Sequence, residues 1–416
     1  MQQLTPPASQ LTPAVQQLTP AAKAELEKQQ YRIVGSHSAV KTCGWTKNMI
    51  RGQGGCYKLK FYGIMSNQCM QMTTSISCAN RCTFCWRGYK APVSKEWKWD
   101  VDEPDFIFNH STAEHHKLLV GFGGSEKANQ NAYQKSKEIR HVALSLTGEP
   151  IHYPRINELL ELFNKNHVST FLVTNAQYPE QIRDLKPVTQ LYISLDAPEQ
   201  QLLKQIDLPL FSDYWERLNK SLEYLAQKKQ RTCIRLTLVK GINDLHHQRY
   251  AEMIHNGSPD FIEVKGYMHV GESRERLQRE NMPLHEEIVD FSKELVKFLP
   301  DYEIVSEHIP SRVIMFAKKK FKIDGLWHTW IDFEKWHRLV NADGRNSEQE
   351  DSALEFTSLD YLKRTPQVGL SGKGTLVKIK PETSAKAKIG NGNDHLLVDE
   401  KTEEMDFYGE PLLKIT

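Results

Sequence analysis

Six of the seven cysteines fall between Cys43 and Cys85, and spacing divides them into two sets of three. Cys43, Cys56 and Cys69 follow one another at equal thirteen-residue steps, while Cys78, Cys82 and Cys85 form a C-x3-C-x2-C loop. Three thiolates suit a [4Fe-4S] cube that keeps one iron without a protein ligand. Four protein thiolates make an electron carrier, whereas an open iron can take oxygen and nitrogen atoms of a substrate or cofactor. Two open clusters would serve two bound reactants. The rival readings are disulfides and structural zinc. Disulfides need an oxidising compartment, yet no apolar signal segment opens the chain, so a cytoplasmic location is expected. Zinc sites usually present two C-x2-C knuckles, and only Cys82 and Cys85 form one here. Cys233 stands alone in the apolar run Cys-Ile-Arg-Leu-Thr-Leu-Val and reads as a buried strand thiol.

These side chains need a frame, and a chain of 416 residues is ample for one large core or two modest ones. No apolar run reaches membrane-spanning length, so no membrane partner is expected. The formal charge of +2 is too near zero to argue for nucleic acid. Locally, 318–322 and the pairs Arg274/Arg276 and Arg87/Lys90 could touch phosphate, with solvated surface charge as the default. Short β-branched runs predict strands at 71–77, 141–146, 170–173, 190–195, 232–239 and 261–264. Amphipathic periodicity predicts helices between them, including 156–166, 214–230 and 247–255. The fold class is therefore α/β, a partial (β/α)6 TIM-like barrel with an N-terminal cluster-binding extension, whose chemistry belongs at the C-terminal ends of the strands. Cys78 begins the loop after the first of them.

The ends read differently. Gln-Leu-Thr-Pro recurs at positions 3, 10 and 17 among few large apolar residues, so 1–30 is expected to be a disordered or weakly helical tail. Residues 31–77 form the segment of the first cysteine set and the first strand, and 78–345 the barrel with its C-terminal elements. A further segment covers 346–370. Residues 371–416 look like a flexible polar appendage, apart from a candidate strand at 375–379.

Cys78-Ala-Asn-Arg-Cys82-Thr-Phe-Cys85 resembles the cysteine loop of the radical S-adenosylmethionine superfamily. That resemblance implies a [4Fe-4S] cluster on Cys78, Cys82 and Cys85 whose open iron chelates S-adenosylmethionine, with Phe84 beside the adenine. Leu146-Thr-Gly148-Glu149-Pro150 is similar to the superfamily's Gly-Gly-Glu motif, with Thr147 in place of the first glycine. Gly148 and Glu149 would then hold the cofactor's ammonium. Asn175, Ser194 and Asp196, at the ends of the third and fourth predicted strands, are the candidate ribose and carboxylate contacts; local capping is the alternative.

Within that superfamily, the chain from about Tyr31 to Pro366 resembles the tRNA 4-demethylwyosine synthases. The likeness rests on His37-Ser-Ala-Val-Lys-Thr-Cys43-Gly-Trp45, Gly55-Cys56-Tyr57-Lys58, Phe84-Cys85-Trp86-Arg87, Leu172-Val-Thr-Asn175-Ala, Leu195-Asp196-Ala, Asp260-Phe-Ile-Glu263-Val-Lys265-Gly266 and Phe356-Thr-Ser-Leu-Asp360-Tyr. It implies a second [4Fe-4S] cluster on Cys43, Cys56 and Cys69 that binds pyruvate, and a Schiff base between pyruvate and Lys58. The implied substrate is N1-methylguanosine beside the anticodon of tRNA-Phe. Its N-methyl carbon, after hydrogen abstraction, adds to the lysine-bound pyruvate, and loss of the carboxyl carbon and ring closure give the tricyclic base. The base must leave the anticodon stack, and Trp45, Trp86, Trp97 and Trp99 are candidate platforms, with core packing as the alternative. No flavodoxin-like domain is present, so an external donor of ferredoxin or flavodoxin type and a monomeric, archaeal-type architecture are expected. Two alternatives remain open: a radical maturase with an auxiliary cluster acting on a peptide or small molecule, and a non-enzymatic zinc-bound RNA module.

Overall fold

The computed structural model describes residues 15–88, 90–342, 355–366, 368–370 and 376–378. Its main sheet has ten strands: β1 (Arg32–Val34), β2 (Ser38–Val40), β3 (Cys69–Thr73), β4 (His141–Leu144), β5 (Ser169–Thr174), β6 (Gln190–Ser194), β7 (Arg231–Leu238), β8 (Phe261–Gly266), β9 (Tyr302–His308) and β10 (Val313–Lys318). They hydrogen-bond in the order β1-β2-β3-β4-β5-β6-β7-β8-β10-β9. The six strands from β3 to β8 are parallel, as expected of a partial barrel. The antiparallel strands β1 and β2 at one edge and β9 and β10 at the other extend it beyond the six-strand expectation. Three-residue strands such as β1 and β2 carry too little periodicity to be seen in sequence.

The first predicted strand is shifted. β3 runs from Cys69 to Thr73 rather than over 71–77, although Thr74 and Ile76 prolong the β-branched pattern. The cause is local: Ser75 donates its backbone N–H to Thr73 Oγ1 at 3.1 Å and its hydroxyl to Ser77 O at 3.2 Å, so side chains compete with the ladder.

Helices join the strands. After α1 (Pro20–Lys28), α2 (Gly44–Ile50) and α3 (Tyr57–Tyr62) come α4 (Pro104–Leu119) and α5 (Gln130–Lys135), which connect β3 to β4. Then α6 (Ile156–Lys165), α7 (Pro179–Arg183), the pair α8 (Gln200–Asp207) and α9 (Tyr214–Gln227), and α10 (His247–Gly257) make the successive crossovers; α11 (His285–Val296) precedes β9 and α12 (Phe333–Val340) follows β10. The three helices predicted from periodicity are α6, α9 and α10. Along the parallel strands the side chains alternate. Leu172, Leu191, Ile234 and Ile262 face the helices, while Phe171, Val173, Tyr192, Cys233 and Phe261 face the barrel interior together with Tyr57, Phe61 and Tyr62 of α3. Cys233 is a fully buried strand thiol, as read from sequence.

The third Gln-Leu-Thr-Pro repeat opens a helix. Thr19 caps α1, its Oγ1 accepting from the Ala22 N–H at 3.1 Å with Pro20 opening the helix, and Leu18 and Leu26 pack against the Tyr31–Trp99 cluster. The first two repeats lie outside the described residues. At the other end Phe356 and Tyr361 pack with Trp336 beneath the barrel, where Tyr361 donates its hydroxyl to Thr189 O and accepts the Arg231 N–H. The candidate strand at 375–379 is Leu376–Lys378, paired antiparallel with Val368–Leu370; the rest of 371–416 lies outside the described residues. No helix among the described residues is long and apolar enough to cross a membrane.

Candidate active site

Beyond Thr73 the chain leaves the sheet, and Cys78, Cys82 and Cys85 surround a pocket that Arg81, Arg87 and Gly148 also line. This irregular loop needs outside partners for its carbonyls. Arg87 donates to Ile76 O (2.8 Å), Pro92 O (3.1 Å) and Asn80 O (3.4 Å). Arg276 donates to Thr83 O (2.9 Å), Arg87 O (3.1 Å) and Cys85 O. These two cations, candidates for surface or phosphate contacts in sequence, are clamps on the cysteine loop. The basic run at 318–322 is also engaged within the molecule: Lys318 with Ser258, Lys320 with Asp260, Lys322 with Glu303.

Gly148 has φ +64°, and a Cβ there would lie 1.9 Å from Ser75 O, so both conformation and close approach demand glycine. Its neighbour Glu149 is 2% exposed. Glu149 Oε2 accepts the Asn175 N–H at 3.0 Å, Oε1 has no partner among the described residues, and burial pushes the carboxyl up to about 7. An arriving ammonium would satisfy that oxygen and restore the charge. Asn175 also directs its Nδ2 to Cys78 Sγ at 3.4 Å, so Glu149, Asn175 and the cysteine loop form one assembly. Asp196, just past β6 and 4% exposed, has an unpartnered Oδ1, and burial pushes its pKa up to about 6. Ser194 is half-buried on β6, and Phe84 packs between the main core and the Val239–Tyr267–Leu277 group. The sequence reading missed Asp207, at the end of α8. Its buried carboxyl accepts from Asn80 Nδ2 at 3.2 Å and hydrogen-bonds Cys82, while its backbone carbonyl accepts the Arg81 N–H. A contact between residues this distant in sequence leaves no local signal.

Three thiols beside orphaned carboxyl oxygens fit an iron–sulfur cluster with S-adenosylmethionine next to it. Burial pushes the Cys78 thiol up to about 11 and Cys82 well above its ordinary value, which bound metal would reverse by taking the thiolate.

The other three cysteines begin regular elements. Cys43 caps α2, Cys56 caps α3, and Cys69 opens β3. Cys56 donates its N–H to Ser66 Oγ at 2.9 Å, and Thr46 of α2 donates its hydroxyl to Ser66 O at 2.8 Å, so the short 66–68 turn ties both helices to β3. Burial, and then proximity to Cys56, raise the pKa of Cys43 and bring Cys69 up to about 12; Lys58 opposes both shifts. Among the described residues no three His, Cys, Asp or Glu side chains converge closely enough to hold a single metal ion. The thiols of each set are nonetheless neighbours that perturb one another.

Lys58 points from α3 into the barrel. Its Nζ stands 4.5 Å from the ring centre of Tyr192 and 5.7 Å from that of Phe171. Along β5, Phe171 beneath Lys58 and Asn175 beside Cys78 are four residues apart, about 13 Å at 3.3 Å per residue. Arg235 on β7 lies between, close to Tyr57 and Glu263 on one side and Asp196 on the other. Lys265 of β8 donates to Ser311 O at 2.7 Å, and burial pushes its pKa down to about 8.

The tryptophans divide. Trp97 packs against His37, His152 and Tyr153; Trp99 is buried and donates to Ser77 Oγ; Trp86 stacks on Tyr31 with Lys41 over both rings. Trp99 is thus packed into the core, while Trp86 and Trp97 are half-buried. Trp45 is half-buried, edge-on to His308.

Residues 72–254 match the radical SAM superfamily and residues 256–318 match a family described as wyosine base formation. A solved structure of TYW1 with a lysine–pyruvate adduct bound is 35% identical, with TM-score 0.67, the match covering 74% of this chain and 99% of that one. The chain belongs to the TYW1 family. A crystal structure of archaeal TYW1 agrees, at 33% identity and TM-score 0.61 with the same coverage of both chains. Among curated relatives, the TYW1 proteins of Xenopus laevis and Homo sapiens, both described as S-adenosyl-L-methionine-dependent tRNA 4-demethylwyosine synthases, are 49% and 48% identical over 83% of this chain. This chain spans about half the length of those relatives, 47% of each. With TYW1 membership come the S-adenosylmethionine and iron–sulfur cluster of the radical SAM superfamily. The matches do not favour the maturase and zinc-module readings.

Proposed function

We propose that the chain is a tRNA 4-demethylwyosine synthase, condensing pyruvate with N1-methylguanosine beside the anticodon of tRNA-Phe. Cys78, Cys82 and Cys85 would hold one [4Fe-4S] cluster, with Phe84, Gly148, Glu149, Asn175, Ser194 and Asp196 around S-adenosylmethionine; Cys43, Cys56 and Cys69 would hold the second. When bound, the first cluster and S-adenosylmethionine supply the means of removing hydrogen from an unactivated carbon. The chain supplies placement. Glu149 offers its free oxygen to the cofactor's ammonium, and the buried interior keeps water from a reactive carbon.

Lys58 supplies the covalent step. Its unprotonated amine attacks the ketone carbon of pyruvate, water leaves, and the resulting imine holds three carbons inside the barrel. The observation that carries this reading is the position of Lys58: an amine beside Cys43 and Cys69, facing aromatic rings, with no carboxylate partner among the described residues. An external donor of ferredoxin or flavodoxin type would supply electrons to the monomeric enzyme.

The test is direct. Borohydride added with pyruvate should attach a three-carbon unit to Lys58, seen in a peptide mass map. Lys58→Arg keeps the charge but cannot form an imine. It should retain iron yet yield no tricyclic base in nucleosides from anaerobically treated tRNA. Normal product from Lys58→Arg, or labelling at another lysine, would overturn the assignment.

A further inference from the structure

Glu263 belongs to a sequence motif that the reaction above leaves without a role. It sits on β8, at the centre of the barrel, with 0% exposure. A carboxyl in such a place is costly unless both oxygens find donors. They do: Oε2 accepts from the Tyr57 hydroxyl at 3.0 Å and Oε1 from the Tyr62 hydroxyl at 2.9 Å. Both tyrosines are on α3, one immediately before Lys58 and one four residues after it.

α3 has only six residues, and its N-cap Cys56 makes no side-chain capping bond. A helix this short has no stability of its own, so its rotation is set by what it touches. Its far end is held by backbone contacts, Trp330 donating to Lys60 O at 3.0 Å and Thr329 to Phe61 O at 2.7 Å. Cys56 is held separately, through its N–H to Ser66 Oγ. The direction of Lys58 has no such fixture: among the described residues its amine meets ring faces and neighbouring thiols but no hydrogen-bonding or carboxylate partner, so it goes where the helix turns it.

We propose that Glu263 is a positioning residue for Lys58, gripping the tyrosines on either side so that the amine is presented to the barrel interior. This rests on the reading of Lys58 as the pyruvate-binding amine. A misplacement of about 1 Å can cost on the order of a hundredfold in rate. The consequence of losing Glu263 falls on imine formation, since the sulfurs of Cys43, Cys56 and Cys69 are anchored elsewhere.

The experiment uses the reconstituted full chain with pyruvate and borohydride, reading iron content and the rate of Lys58 labelling together. Glu263→Leu, which keeps the bulk but offers no acceptor, should label at least tenfold more slowly at saturating pyruvate with iron unchanged. Glu263→Gln retains an acceptor oxygen and should recover most of the rate. A purely structural role would lower iron and label in proportion, and that result overturns the proposal. Labelling of Glu263→Leu at the wild-type rate overturns it too. Should Glu263→Leu fail to fold, Tyr57→Phe and Tyr62→Phe decide: each should slow labelling several-fold with iron retained, and wild-type rates in both refute the idea. Absence of label on wild-type Lys58 would instead remove the underlying reading of that lysine.

Discussion

The Cys78–Cys85 loop is positioned by cations that grip its backbone, whereas Cys43, Cys56 and Cys69 are positioned by the regular elements they begin. In the first region Arg87 and Arg276 gather carbonyls of residues 76 to 92 into one knot. In the second, the sulfurs sit where α2, α3 and β3 start; Ser66 ties α2 and the start of α3 together, and side chains reaching across the barrel grip α3. The difference teaches where each site is vulnerable. A knot of backbone bonds is undone by one distant arginine, while a site made of helix starts can keep its sulfurs and still lose the aim of its lysine.

Removing each set of thiols tests whether the two regions are separable, and the effect should be the largest available. Reconstituted wild-type protein should carry about eight irons per chain, four for each [4Fe-4S] centre. The Cys78/Cys82/Cys85→Ala variant should keep about half the iron and lose S-adenosylmethionine cleavage altogether. The Cys43/Cys56/Cys69→Ala variant should also keep about half, yet make no tricyclic base. Cleavage surviving in the first variant would break the comparison. A smaller effect is expected of Arg276→Ala, which frees three loop carbonyls without touching a sulfur. Bonds from a charged donor are each worth about 1.5–3 kcal/mol, so iron of the first set alone should become at least tenfold more labile to a chelator. Equal loss of iron from both sets would show that the clamp is not specific to its loop.

The two regions also differ in how far they could be read from sequence. The C-x3-C-x2-C loop is local, and the strand pattern that precedes it places it at the mouth of a barrel, even though serine and threonine side chains end β3 earlier than the β-branched run implies. Gly148 and Glu149 were legible for the same reason, one strand later. The thirteen-residue cysteine ladder marked the second set, and the resemblance of Cys-Tyr-Lys marked Lys58. What holds them was not legible. Glu263 pairs with tyrosines about two hundred positions away, and Arg276 closes on a loop nearly as distant. Such bonds are set by the way strands and loops converge in space, and a carboxylate or guanidinium reads as surface charge until that convergence is known.

The smallest predicted effect sharpens the comparison from the side of stability. Burial raises the Glu149 carboxyl from its ordinary 4.5 to about 7 in the folded chain, so between those values the native state holds a proton that the unfolded state has released. Stability contributed by that proton is present at low pH and lost as pH rises, fully so above about 7. A shift of this size corresponds to about 3 kcal/mol. Glu149→Gln copies the neutral form at every pH. In the absence of cofactor it should therefore melt with wild type near pH 4.5 and above it at pH 8, the gain opening across that interval. The same substitution removes the charge expected to meet the ammonium of S-adenosylmethionine, so affinity for the cofactor should fall at pH 8 while the fold becomes more stable. A binding site tuned for a cation would show this opposition. If Glu149→Gln destabilised the cofactor-free chain at pH 8, the carboxylate would already be satisfied within the protein, and its free oxygen would not be the place where the cofactor's charge is received.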